Sequence, residues 1–404
     1  VKNNTPPPAT PTNGTSSGET SPGGASLPET SSGSTSSGGT SLRELAQLFT
    51  KLGFTAFGGP AAHIAMMQKE VVDKRGWMDH QHFLDLVGAT NLIPGPNSTE
   101  MAIHIGYERG KWKGLLVAGL CFILPAVLIT ATIAWLYQRY GRLPQVNTWI
   151  YGIKPAIIAI ILAAAWPLAK RAVKTTQVGI IGALVFLAIL LGVDEIIAMF
   201  AAGALTILLY LLRRPQKSLS AVFPLTLLYI NNPNLRIFLI FLKIGAILYG
   251  SGYVLFGFLD KELVATGLLQ RAQLIDAIAV GQFTPGPVFS SVTFIGWQMG
   301  GWQGALTATI AIFLPSFVFV ALSNPLLPRL RRSKLFSAFL DGVNVASVAI
   351  IAAVCTSFGK AVLDDWRTIL IAVLSTAFVF GLPKINSVFV VIGGSLLGYI
   401  LSLA

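Results

Sequence analysis

The chain has 404 residues, of which 53% are hydrophobic and only 11% charged, a balance that excludes a soluble globular protein. The net charge of +12 does not point to nucleic acid, because lysines and arginines gather in short loops between apolar runs and form no basic stripe interleaved with aromatics. The runs are continuous rather than alternating, which sets aside a β-barrel and leaves a polytopic α-helical membrane protein.

Residues 1–41 are almost entirely Ser, Thr, Gly and Pro, with Val1, Ala9, Ala25 and Leu27 as the apolar exceptions. Such a segment cannot bury a core and reads as a disordered tail, with no apolar stretch of the kind a signal peptide needs. Order is expected from Ser41, where Ser41-Leu42-Arg43-Glu44 forms a capping box. A first helical segment (41–67) follows, interrupted at Gly58-Gly59-Pro60. Lys51 lies about 15 Å along it at 1.5 Å per residue, near mid-bilayer for a steep helix. Asp79, His80 and His82 stand close together, but no cysteine or second histidine pair supports a metal, so they read as a solvated loop.

Next comes "NLIPGPNSTEMAIHIGYERGKWKG", Asn91 to Gly114. Pro94-Gly95-Pro96 breaks the helical pattern in the middle of apolar sequence. Plain hydrophobic helices then follow. Leu115–Tyr137 and Gln177–Val193 hold no charge, and Glu195–Leu212 has only its opening acid. Cys121 sits in the first of these runs, and Cys355 in a later one. Both read as small packing residues.

After a linker at 214–233 the chain repeats itself. Phe241-Leu242-Lys243-Ile244-Gly245 answers Phe49-Thr50-Lys51-Leu52-Gly53, and Lys261-Glu262 answers Lys69-Glu70, both at an offset of 192. Pro285-Gly286-Pro287 answers Pro94-Gly95-Pro96, and Asp276 answers Asp85, at 191. Gly300, Trp302, Gly304, Pro315, Gly342 and Lys360 answer Gly110, Trp112, Gly114, Pro125, Gly152 and Lys170 at 190. The halves are 42–213 and 234–404.

Basic residues fall in opposite phase in the two halves. Arg109, Lys111, Lys113, Lys170, Arg171, Lys174, Arg213, Arg214 and Lys217 mark one side in the first half. In the second half Gly300–Gly304 holds no base, and Arg329, Arg331, Arg332 and Lys334 follow one helix later. The halves are therefore expected to be inverted repeats. Arg139, Arg142 and Lys154 run against this scheme. The preferred count is ten transmembrane helices, with the two broken segments of each half together crossing once. The alternative of twelve to thirteen adds Leu219–Ile230 as a span.

Irregular backbone at membrane depth occurs where it lines a cavity or is buried in protein. After each Pro-Gly-Pro a new helix opens, at Asn97-Ser98-Thr99 and at Val288-Phe289-Ser290-Ser291, and helix N-termini suit anions. Inversion would bring the two N-termini together. The expected binding residues are Lys51, Gly58, Gly59, Pro60, Asn91, Pro94, Gly95, Pro96, Asn97, Ser98 and Thr99, and in the second half Lys243, Gln282, Pro285, Gly286, Pro287, Ser290 and Ser291. The two lysines would neutralise a dianion. Glu100, Asp85 and Asp276 are the candidates for carrying a proton. The bland alternative takes both Pro-Gly-Pro stretches as tight turns and both lysines as snorkelling. No cofactor or metal is expected, and no catalytic group of an intramembrane enzyme is visible.

At "FGGPAAHIAMM" (57–67), "LIPGPNSTEMAIHIGY" (92–107), "FTPGPVFSSVTFIGW" (283–297) and "FLPSFVFV" (313–320) the sequence resembles the chromate transporter family of bacterial oxyanion exporters. The resemblance runs from Ser41 to Ala404, as in a long-chain, two-domain member. Gly250-Ser251-Gly252 departs from Gly58-Gly59-Pro60, so the two tips need not be equivalent. The resemblance implies chromate efflux by a secondary active, multi-pass protein of the cytoplasmic membrane. Alternating access would be driven by membrane potential, proton antiport or both. The expected partners are chromate, with sulfate as its close mimic, and the lipid bilayer. A homodimer is compatible with this organisation. A sulfate transporter of the same fold and an anion channel are the competing readings.

Overall fold

The computed structural model describes residues 41–141, 144–213, 233–250, 252–323, 333–382 and 386–403. Among these the chain is entirely helical and turn. The expected tail and the candidate span Leu219–Ile230 lie outside the described residues, as do Arg142, Arg214, Lys217, Ser251, Arg329, Arg331 and Arg332.

Helix α1 (Leu42–Thr55) begins at Ser41, whose hydroxyl accepts from the Arg43 amide. Leu45, Leu48, Phe49 and Leu52 make one buried face. The chain turns at Ala56–Gly58 and returns as α2 (Gly59–Gln68), which runs on into a π turn, Lys69–Lys74. Lys51 meets Glu70 at 3.2 Å, and Arg75 meets Glu44 at 3.9 Å. The first segment is thus a hairpin whose two ends share one face.

The second segment also turns back. Helix α3 (His80–Thr90) leads to Pro-Gly-Pro, and α4 (Asn97–Tyr140) leaves it. His82 near the start of α3 lies 3.9 Å from Glu108 near the end of the short first arm of α4. Non-helical backbone at Gly110 and Lys111 then folds α4 on itself. The arms touch through glycine: a Cβ on Gly106 would lie 2.6 Å from the Cβ of Ala118. The long arm crosses to the other face. It is followed by α5 (Pro144–Ala172), α6 (Thr176–Leu190) and α7 (Glu195–Arg213).

The second half repeats this with α8 (Pro233–Ile247), α9 (Leu255–Leu259), a π turn (Asp260–Val264) and α10 (Arg271–Phe283). A 3-10 turn (Val288–Ser290) follows, then α11 (Ser291–Ser323), broken at Gly300 and Gly301. Helices α12 (Lys334–Val362), α13 (Trp366–Gly381) and α14 (Ser387–Leu403) complete it.

The halves are inverted. Tyr137 and Gln138, at the far end of the long arm of α4, meet Phe294 and Trp297 in the short arm of α11. The rings of Tyr137 and Phe294 are 5.0 Å apart, and the Trp297 indole donates to Gln138 at 2.8 Å. At the opposite face Gly119, early in the α4 arm, lies under the Phe317 ring late in α11. The second half's hairpins therefore enter from the face at which α4 leaves. Cross-repeat packing obeys the same two-fold: α5 on α14 answers α12 on α7, and α5 on α13 answers α12 on α6. Small residues permit these approaches, as where Gly152 meets Gly394 and Gly398.

The Gly110–Lys111 turn folds α4 back, so its short arm returns toward the start of α3 before the long arm sets out. Among the described residues five helices are long and apolar enough to cross a membrane, Asn97–Tyr140, Thr148–Ala172, Glu195–Leu212, Val288–Ser323 and Lys334–Val362, and α6, α13 and α14 are shorter apolar helices. Helix α7 ends at the basic-rich face, whereas Asn234 near the start of α8 lies by Gly300 at the other.

Lys111 has φ +51° and ψ −138°, a conformation that suits glycine; its counterpart is Gly301 at φ +59°. Strain of this kind costs on the order of 1–3 kcal/mol. Lys111→Gly is expected to raise thermal stability by about 1 kcal/mol in purified protein.

Candidate functional site

The four hairpin tips meet inside the protein, and they join across the repeats. The Gly95 N–H donates to the Leu248 carbonyl at 2.8 Å, and the Gly286 N–H donates to the Ala56 carbonyl at 2.8 Å. Each Pro-Gly-Pro tip is thus bonded to the first hairpin of the opposite half. Glycine is required in both: Gly95 has φ +139° and Gly286 φ +88°. A Cβ on Gly95 would lie 2.8 Å from the Ser316 hydroxyl, and one on Gly286 2.9 Å from the Ala126 Cβ.

Polar groups gather at this junction. Pro94, Gly95, Pro96, Ser98, Thr99 and Glu100 are buried, as are Gln282, Pro285, Gly286, Pro287, Ser290 and Ser291. The Thr99 and Ser291 hydroxyls, the Ser316 hydroxyl, the Gln282 Nε2 and both Glu100 oxygens have no hydrogen-bond partner. Tyr253 donates to Gln282 Oε1 at 3.4 Å, and its hydroxyl also lies by Gly59. Thr130 donates to Ser290 at 3.4 Å. The amides of Asn97 and Ser98 stand at the open end of the short arm of α4, and the Asn97 side chain donates to Asn91 Oδ1 at 2.8 Å. In the second half the 3-10 turn replaces the expected first turn of α-helix.

Both lysines are paired with acids. Lys51 pairs with Glu70, and Lys243 with Glu262 at 2.6 Å, each within its own hairpin. Antiparallel limbs bring these positions opposite each other, so the lysine charge is matched before any anion arrives. Glu70 also binds Lys74 at 2.9 Å and Arg75. The partners were legible as the repeated Lys-Glu of 69–70 and 261–262, which the sequence offered only as a repeat marker. Lys243→Met leaves Glu262 without its cation and is expected to destabilise the protein more than Lys51→Met, because Glu70 keeps Lys74 and Arg75. Lys243→Met with Glu262→Gln should recover most of the loss, read by thermal unfolding.

Asp276 is buried, accepts from the Tyr137 hydroxyl at 2.6 Å and faces Lys154 at 3.4 Å. This explains Lys154, which runs against the basic pattern of the loops: it is the partner of a buried acid. Asp79 caps α3, accepting from the His82 amide at 2.7 Å, and His80 pairs with Gln68. Asp85 lies on α3 and is half-buried.

The two halves differ in exposure and packing. Leu84 is 45% exposed and its counterpart Ile275 3%. Asn91 and Ala61 are exposed, whereas their counterparts Gln282 and Tyr253 are buried. Helices α9 and α10 pack on α5, α7, α12 and α14, while α2 and α3 pack mainly on α1, α4 and each other. The hairpins of the second half are closed on the scaffold, and those of the first half stand away from it.

The sequence profile described as chromate transporter matches residues 43–207 and again residues 235–399. The chain belongs to the chromate transporter family. This transporter is 30% identical over 367 residues to the chromate transport protein of Cupriavidus metallidurans, covering 87% of this chain and 91% of that one. It is 29% identical over 345 residues to a probable chromate transport protein of Synechococcus elongatus, covering 81% and 87%. With the chromate transport protein of Pseudomonas aeruginosa it shares 28% identity over 378 residues, covering 87% and 90%. No solved structure matches it.

Proposed function

We propose that this transporter exports chromate across the cytoplasmic membrane by alternating access, with the anion held where the four hairpin tips meet. The observation that carries the reading is the reciprocal pair of tip hydrogen bonds, Gly95 to Leu248 and Gly286 to Ala56. They join hairpins that enter from opposite faces, so one junction serves both. Around it stand helix amides and unpartnered hydroxyls suited to a tetrahedral oxyanion, which is what the names of the relatives support. The basic-rich face is cytoplasmic by the positive-inside rule. The first half's hairpins open to that face and the second half's are shut, as in a state that loads from the cytoplasm. Exchange of the two halves' conformations would open the other side.

The membrane potential favours export. Moving one charge through 100 mV is worth about 2.3 kcal/mol, so a dianion leaving a negative interior gains about 4.6 kcal/mol. Import of the same ion would need at least three coupled cations for the potential to favour it. The test is vesicles of known orientation with an imposed potential and no pH gradient. Chromate should move away from the negative side. Movement toward it, or flux indifferent to the potential, would restore sulfate import as the better reading.

A further inference from the structure

The short arm of α4 opens with a buried carboxyl group whose oxygens have no hydrogen-bond partner among the described residues. This is Glu100, fully buried in the first helical turn. Its Oε1 occupies the space beside Gly95 where a side chain would otherwise stand, next to the unpartnered Ser316 hydroxyl. The acid is therefore turned back on to the Pro-Gly-Pro tip.

Among the described residues no lysine or arginine pairs with it. From the facing tip, Tyr249 lies within electrostatic range. From α2, His63 stands edge-on to Phe122 with ring centroids 5.9 Å apart, and His104 follows Glu100 by one turn on its own arm. Lys51 on α1 is engaged by Glu70, and Lys154 on α5 by Asp276 of α10. Asp85 belongs to α3 and Ser316 to α11. The feature is one-sided: the counterparts of Glu100 and Ser316 in the other half are Ser291 and Ala126.

We propose that Glu100 binds a proton together with the transported anion, so that proton and anion are loaded as a pair rather than exchanged. An ionised carboxylate at the tip would repel a dianion in the same low-dielectric pocket, whereas the neutral acid offers it an O–H donor. Protonation and anion binding therefore strengthen each other, and by linkage the effect is reciprocal. On loading, one proton passes from the solvent of the open side to a Glu100 oxygen. On release it leaves with the anion. The transported unit then carries one negative charge fewer than the anion alone, and the potential still drives it outward.

This inference rests on the tip junction being the oxyanion site, and the test separates the two. Binding of chromate and of sulfate to the purified full chain is measured against pH, with proton uptake followed in weak buffer. Sulfate stays doubly charged through the range, so its slope reports the protein's proton and not the ligand's. The expected result is one proton taken up per sulfate, with affinity falling about tenfold per pH unit above the titration of the acid. Glu100→Gln, a permanent neutral donor, should bind with a flat profile. The uptake measurement on the unaltered protein decides the matter even if that variant fails to fold. Proton release on binding, or binding with a flat profile in the unaltered protein, overturns the paired loading alone. Absence of binding by either anion at every pH overturns the site with it.

Discussion

Gly286→Val is expected to abolish chromate transport while the protein still inserts. The backbone at 286 has φ +88°, which a β-branched residue adopts only at a cost on the order of 1–3 kcal/mol. Its Cβ would lie 2.9 Å from the Ala126 Cβ and 3.2 Å from the Gly53 carbonyl oxygen. The tip must withdraw, and with it goes the hydrogen bond to Ala56 that joins the two halves. Initial transport rates should drop to background, a loss of about a hundredfold or more for some 3 kcal/mol of displaced geometry. Gly192→Val is the control. Gly192 has φ +93° with nothing within 4 Å of an added Cβ, so it carries the backbone strain without the tip. It should lower stability and leave transport near normal. Equal loss in both variants would reduce the effect at Gly286 to strain.

Lys154→Met is expected to destabilise the packing of α10 on α5 by about 3 kcal/mol or more. Removing one member of a buried ion pair strands the other, and here Asp276 would keep only the Tyr137 hydroxyl. The position matching Lys154 in the other half is Asn344, so the open face has no corresponding lysine. The closed state of the second half's hairpins should loosen, seen as a lowered melting temperature and as new access to α10 from that face. Lys154→Met with Asp276→Leu should recover most of the stability, because the stranded charge is gone. If the single variant melts with the unaltered protein, the pair does not hold the face shut.

The repeat, its inversion and the two breaks were legible because each leaves a mark on composition: matched glycines and prolines, and basic loops in opposite phase. The sharp fold of α4 at Gly110 and Lys111 left no such mark. Hydropathy reads apolar depth and not direction, so the Gly110–Lys111 fold between two apolar arms looked like an ordinary basic loop. The lysines were found, but their partners Glu70 and Glu262 lie 19 residues on and are brought close only by the hairpins. Asp276 and Lys154 belong to different helices, and their pairing needs the packed fold. The difference in exposure between the halves arises from packing between distant helices, which a sequence with near-symmetric halves does not express.

Alternating access between the inverted hairpins is tested most directly by thiol labelling at the matched pair Leu84→Cys and Ile275→Cys, with Cys121 and Cys355 replaced. A membrane-impermeant reagent is applied from each side, at rest and during chromate turnover under an imposed potential. At rest, position 84 should react from the basic-rich face and position 275 should be protected. During turnover, position 275 should become reactive from the opposite face while position 84 slows. Reaction of both positions from one face, or an unchanged pattern during turnover, would contradict the account.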